Sequence, residues 1–143
     1  MTVIREAREE DTPQIVDLIG LLDHAVDASG VARRMKFLAD QGIPQLVATE
    51  GDVVIGLCGL HVMVALHRER AVGRVTILVV REDMRGSGIG RRLLQAAEQE
   101  LRNRGCGLVE ITSNQRLEDA HLFYEHWGYE RTSFRFMKRL EGL

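Results

Sequence analysis

Residues Val79 to Leu94 read VVREDMRGSGIGRRLL. An apolar run enters a glycine-rich turn, and the turn opens an amphipathic helix. Gly86, Gly88 and Gly90 leave backbone N–H groups uncovered by side chains. The N-terminus of the following helix adds a partial positive charge. Such a turn is a ready site for a phosphate or pyrophosphate. Arg85, Arg91 and Arg92 surround it with cationic donors. A glycine-rich turn alone can be no more than a turn that needs positive φ. Its place between a buried strand and a helix is what points to an anion.

The elements on either side set the fold class. Upstream, Arg74 to Val80 (RVTILVV) is nearly all apolar, as a strand buried on both faces would be. Downstream, Ile89, Leu93, Ala97 and Leu101 recur every four residues, with Leu94 beside them, and predict a long helix stopped at Gly105. Before the central strand, Thr2–Arg8 reads as a strand. Pro13–Asp23, started by Asp11-Thr12-Pro13, and Val31–Asp40 read as helices. Gln45–Thr49 and Val53–Leu66 read as strands joined at Glu50-Gly51-Asp52. After the long helix come a strand at Leu108–Thr112, a helix at Glu118–Trp127 and a closing strand at Tyr129–Leu140. The order β-α-α-β-β-β-α-β-α-β predicts a mixed α+β sheet, not a purely parallel one.

The whole chain of 143 residues reads as one domain, 1–143, with no linker or repeat. At 45% hydrophobic and 28% charged, it has the composition of an ordinary globular protein. A net charge of −2 argues against a nucleic-acid partner. No apolar run is long enough for a membrane span, and MTVIREAREED lacks a signal core. Cys58 and Cys106 stand at no metal-ligand spacing, so no metal is expected, and they read as reduced thiols of a cytoplasmic protein.

Three phosphate-binding patterns compete for the glycines. No Lys follows them, which excludes the P-loop. A dinucleotide fingerprint needs G-x-G-x-x-G, whereas the spacing here is G-x-G-x-G. Glu110, 20 residues after Gly90, stands where that motif places a ribose-binding acid, but too little chain follows for the remaining βαβ units. The third pattern, [RQ]-x-x-G-x-[GA], is matched without a gap by Arg85-Gly86-Ser87-Gly88-Ile89-Gly90. Downstream, Thr112-Ser113-Asn114 and Phe123-Tyr124…Gly128-Tyr129 form a second block. The two blocks, in this order and one helix apart, resemble the GNAT superfamily of N-acetyltransferases.

That resemblance implies a mostly antiparallel sheet splayed at its centre and flanked by about four helices. It implies acetyl-CoA as acyl donor. Backbone groups of Leu78, Val79 and Val80 would pair with the pantetheine arm. Arg85, Gly86, Ser87, Gly88, Ile89, Gly90 and Arg91 would hold the pyrophosphate. Asn114 would reach the arm, and Tyr124 would protonate the leaving thiolate. A phenol, titrating near pH 10, is a suitable donor to a thiolate. An N–H at the splay, from Val80, would polarise the thioester carbonyl. Direct attack by the amine needs neither cysteine as nucleophile.

Two positions depart from the family pattern. Glu82 stands where a proline is frequent. The stretch Gly73-Arg74-Val75-Thr76 lacks the glutamate base that some members carry. Water, Glu82, Glu110, His61 and His121 remain the alternatives for that role. The acceptor expected is a small primary amine of aminoalkylphosphonate, polyamine or aminoglycoside type. A protein or peptide amine, and a non-catalytic acyl-CoA sensor, are the competing readings. Asp23, His24 and Asp27 offer acidity for an ammonium group, and Arg116 offers a cation for an anionic one. Val53–Leu66 could feed a homodimer interface or lie buried in the sheet.

Overall fold

The computed structural model describes residues 1–141. The chain divides into two compact units, Met1–Ile111 and Thr112–Leu143. The first holds a five-stranded sheet whose strands lie in chain order: β1 (Thr2–Glu6), β2 (Leu46–Glu50), β3 (Val53–Met63), β4 (Ala71–Val80) and β5 (Cys106–Ile111). The first four pair antiparallel, and β5 joins β4 in parallel. A parallel step requires a crossover, which here is the helix predicted from the leucine spacing. Three helices serve this unit: α1 (Thr12–Gly20), α2 (Ala28–Asp40) and α3 (Ile89–Asn103). The second unit holds α4 (Glu118–His126).

Alternation along β3 shows how the layers are built. Leu57 joins Ile15 and Leu18 of α1, Val31 of α2, Val47 and Val79 in one buried cluster. Its neighbour Gly56 faces the other way, toward Leu93 and Ile89 of α3. Successive strand residues point to opposite faces, so α1 and α2 cover one face and α3 the other. Ile89, Leu93, Leu94, Ala97 and Leu101 are the buried stripe of α3. The apolar stretch from Val53 is mostly sheet core, with Val54 to Leu60 all buried.

Several boundaries shift for local reasons. The sequence pattern reads the second helix from Val31. Instead α2 begins at Ala28, because the Asp27 carboxylate accepts the Gly30 N–H at 2.6 Å and caps the helix. β4 begins at Ala71 rather than Arg74. The expected closing strand at Tyr129–Leu140 is not formed, and among the described residues the sheet has no sixth strand. Alternating side chains fit that segment to a strand, yet a strand exists only by exchanging hydrogen bonds with a neighbour. Here Phe134, Phe136 and Leu140 are exposed.

Candidate active site

β4 changes character in its middle. From Val72 to Val75 it has β3 on one side and β5 on the other; the pairing with β5 ends at Val75 opposite Ile111. From Thr76 to Val80 its one partner strand among the described residues is β3. The register with β3 slips at the same place: Leu60 pairs with Val75 and Gly59 with Ile77, leaving Thr76 as an extra residue. This is a β-bulge, which bends the strand and breaks the ladder. The slip also reverses the side-chain alternation. Gly73 lies against Leu101 of α3, whereas Ile77 and Val79 pack with the α1–α2 cluster on the opposite face.

Gly59 makes the bulge possible. A Cβ on it would stand 2.5 Å from Thr76 Oγ1 and 2.7 Å from Ile77 Cγ2. Two side chains therefore occupy the face that one glycine leaves empty. Gln45 fixes the adjoining residue: its side-chain amide donates to the Leu60 carbonyl at 3.0 Å and accepts the Leu60 N–H at 2.9 Å.

Beyond the bulge the hydrogen-bonding directions are determined. Arg81 N–H donates to the Ile55 carbonyl at 2.8 Å. Antiparallel pairs alternate, so Val79, opposite Leu57, also turns its amide and carbonyl toward β3. Leu78 and Val80 turn theirs away, along the edge that β5 has left. Of the three residues singled out in the sequence, two face the open edge and Val79 anchors the strand. The Val80 carbonyl accepts from Arg85 Nε at 3.1 Å, which ties the strand end to the glycine loop.

A 3₁₀ turn at Glu82–Met84 carries β4 into that loop. Gly86 and Gly88 have φ of 82° and 84°, in the left-handed region that favours glycine. Among the described residues, no atom outside their chain neighbours lies within 4 Å of where a Cβ would stand on either. The first intrahelical bond runs from Arg92 N–H to the Gly88 carbonyl at 3.0 Å. The earlier amides, Ile89, Gly90 and Arg91, are thus the first-turn donors that an α-helix cannot satisfy itself. Arg85, Gly86, Ser87 and Gly88 are exposed, and Gly90 and Arg91 are half-buried.

In the second unit, Asn114 organises the loop before α4. Its side-chain oxygen accepts from Arg116 N–H at 3.0 Å and Arg116 Nε at 3.2 Å. Its backbone carbonyl accepts from Leu117 N–H and, at 2.8 Å, from His121 Nε2. A carbonyl only accepts, so Nε2 carries the proton. Tyr124 is half-buried on α4, with its ring edge-on to Phe123 at 5.6 Å and to Tyr129 at 6.1 Å.

Two of the other candidates take structural partners. Glu110 is ion-paired with Arg74 across the β4–β5 step, so the acid at the dinucleotide position serves the sheet. Asp27 is the α2 cap; the Gly30 N–H, then the Ser29 hydroxyl, hold its carboxyl below the usual range. It lines a recess of about 450 Å³ with Ala25, Val26, Gly30, Arg33 and Arg34. Cys58 is buried, and burial pushes its thiol up to about 12.

Comparison with known proteins fits this arrangement. Residues 42–131 match the family model for the acetyltransferase (GNAT) domain. An aminoalkylphosphonate N-acetyltransferase of Salmonella typhimurium is 36% identical over 142 residues, covering 96% of this chain and 90% of that protein. The chain belongs to the GNAT acetyltransferases. Two solved structures share the fold at low identity. A transcriptional regulator from Bacillus halodurans has a TM-score of 0.87 at 22% identity, covering 98% of this chain and 100% of that one. Glucosamine-6-phosphate N-acetyltransferase from Arabidopsis thaliana has a TM-score of 0.84 at 18% identity, covering 99% of each chain.

As a GNAT protein the chain is an N-acyltransferase. Sequence reasoning missed what builds its open edge. Gly59 and Thr76 sit on different strands, and only the register brings them together. The one signal was a glycine inside an apolar strand, which marks a bulge or a close approach. Gln45 gave no signal, since a single glutamine before a strand is ordinary.

Proposed function

We propose that the protein transfers the acetyl group of acetyl-CoA directly to the primary amine of a small acceptor in the cytoplasm. The observation that carries this reading is the edge of β4 freed at Thr76, which leads through one 3₁₀ turn into the glycine loop. Leu78 offers its amide and carbonyl to the amide-bearing arm of the donor, as an added strand would. The loop amides from Gly86 to Arg91, with Arg85 and Arg91, take the pyrophosphate at the start of α3. Val80 N–H polarises the thioester carbonyl, and Asn114 binds the arm. Tyr124 donates the proton that the departing thiolate needs. The amine attacks as the free base; the C–N bond forms as the C–S bond breaks, and the proton the amine loses passes through solvent to the tyrosinate, so no covalent enzyme intermediate is required.

The acceptor class follows the similarity to the aminoalkylphosphonate N-acetyltransferase, whose match spans 96% of this chain. An aminoalkylphosphonate is therefore the first candidate, ahead of a polyamine and an aminoglycoside. Calorimetric titration with acetyl-CoA, with NAD as control, tests the donor. Thiol release in the presence of each amine tests the acceptor. Saturable binding of acetyl-CoA alone is expected; a folded protein that binds no acetyl-CoA would refute the loop's role. Tyr124→Phe should bind acetyl-CoA as before and lose about 10²-fold in turnover, the low end of general acid catalysis. Undiminished turnover would remove Tyr124 from the mechanism.

A further inference from the structure

The segment Phe123-Tyr124-Glu125-His126-Trp127-Gly128-Tyr129 closes α4 in a way that bears on Tyr124. Gly128 has φ 96°. Its N–H donates to the Glu125 carbonyl at 3.1 Å, and Tyr129 N–H donates to the Tyr124 carbonyl at 3.0 Å. These are the two bonds of a Schellman motif, which commonly brings the side chains at its two ends into contact. Here those side chains are the two tyrosines, with ring centroids 6.1 Å apart and planes at 62°. Tyr124 is thus held twice by one residue, at its backbone and at its ring.

Position along the helix makes the hold matter. α4 spans nine residues, and Tyr124 lies two residues before its last, His126. Helix ends fray, and the final turn is the least stable part of a short helix. A proton donor needs the opposite, since a displacement of about 1 Å at a reacting group can cost about 10²-fold.

We propose that Tyr129 is a positioning residue for Tyr124: its ring and its backbone N–H together fix the direction of the Tyr124 side chain. This rests on the reading of Tyr124 as the acid. Tyr129→Ala keeps the backbone bond and removes the ring; Tyr129→Phe keeps both.

The test has two arms on the full chain saturated with acetyl-CoA. In the first, the ring carbons of isotope-labelled Tyr124 are followed by NMR. Tyr129→Ala should shift and broaden the Tyr124 signal, and Tyr129→Phe should leave its width as in the unmodified protein. An unchanged Tyr124 signal in Tyr129→Ala overturns the proposal. In the second, thiol release is measured with whichever of an aminoalkylphosphonate, a polyamine or an aminoglycoside is turned over. Tyr129→Ala should lower kcat about tenfold with little change in the KM for acetyl-CoA, and Tyr129→Phe should restore it. The same substitution made on Tyr124→Phe should cost almost nothing more, because the group it positions is gone. Equal losses in both backgrounds would mean a general structural defect and sink the proposal. Full activity of Tyr124→Phe would instead overturn the acid reading, whatever the NMR shows of the ring.

Discussion

Replacing Gly59 by alanine adds one methyl group where β4 folds two side chains over β3. The new Cβ would lie 2.5 Å from Thr76 Oγ1 and 2.7 Å from Ile77 Cγ2. Thr76 is exposed and its hydroxyl can rotate away. Ile77 is β-branched, stiff at χ1 and packed against the α1–α2 cluster, so it yields only if the strand moves. Overpacking of this kind costs about 1–3 kcal/mol. An opposing term arises because alanine restricts the unfolded chain more than glycine does, which returns about 0.4–1 kcal/mol. With one rigid contact far inside van der Waals distance the cost falls in the upper part of its range, and the net loss is about 1–2 kcal/mol. For a chain of this length that lowers Tm by roughly 3–8 °C.

Thermal unfolding measures the loss, and titration with acetyl-CoA shows whether the edge beyond the bulge has moved. Gly59→Ala should unfold earlier and bind acetyl-CoA more weakly. On an Ile77→Ala background, where the rigid contact is gone, the same change should cost at least about 0.5 kcal/mol less, the coupling expected of touching residues. A Gly59→Ala protein with unchanged Tm and unchanged affinity would show that the bulge does not close over this glycine, and the account of the open edge would fail with it.

Three further outcomes are expected. Asp11 is buried, with its two oxygens on Arg5 Nη1 and Nη2 at 2.7 and 2.8 Å and one of them also on Arg8 N–H; the Arg5 guanidinium holds its carboxyl below the usual range. That stabilisation is complete above about pH 4 and lost as pH falls through the depressed value, so Asp11→Asn should cost about 2–3 kcal/mol in denaturant unfolding at pH 7. The gap to the unmodified protein should close in acid, and a gap independent of pH would refute the ion pair as its source. With Cys58 fully buried and its thiol raised to about 12, a thiol reagent at pH 8 should modify only Cys106 in the folded protein, and both after unfolding; labelling of Cys58 at the rate of Cys106 would contradict the buried core around β3. Gly88→Ala forces a side chain to φ 84°, so it should lose about 1–2 kcal/mol of stability and bind acetyl-CoA less tightly; an unchanged affinity would separate the loop from the donor.

Periodicity carried α3 because that helix buries one clean stripe. Ile89, Leu93, Ala97 and Leu101 became the covered face of α3 without adjustment. Patterning failed where a local hydrogen bond decides. Asp27 to Gly30 has the composition of a break, and one carboxylate bond turns it into the first turn of α2. It failed again at Tyr129–Leu140, where alternation shows fitness for a strand but not the presence of a partner.

The loop of the candidate site was legible because glycine spacing is a local property of the chain. The edge that the loop extends was not, and RVTILVV shows why. Its nearly continuous apolar character reads as burial on two faces. In the fold, one half of the strand covers α3 with Val75 and the other half covers α1 with Ile77 and Val79, and the inversion takes place at a single exposed threonine. An ordinary strand with period two would have kept Val75, Ile77 and Val79 on one face and stayed paired with β5 to its end. By reversing the alternation, Thr76 lets the same apolar composition serve two helical layers. It also marks the place where β4 parts from β5, leaving the Leu78 amide and carbonyl and the Val80 N–H along the open edge. A substitution that abolishes the bulge would therefore not merely perturb a contact. It would turn Ile77 and Val79 out of the α1–α2 core, so the packing of that core is what keeps the edge open.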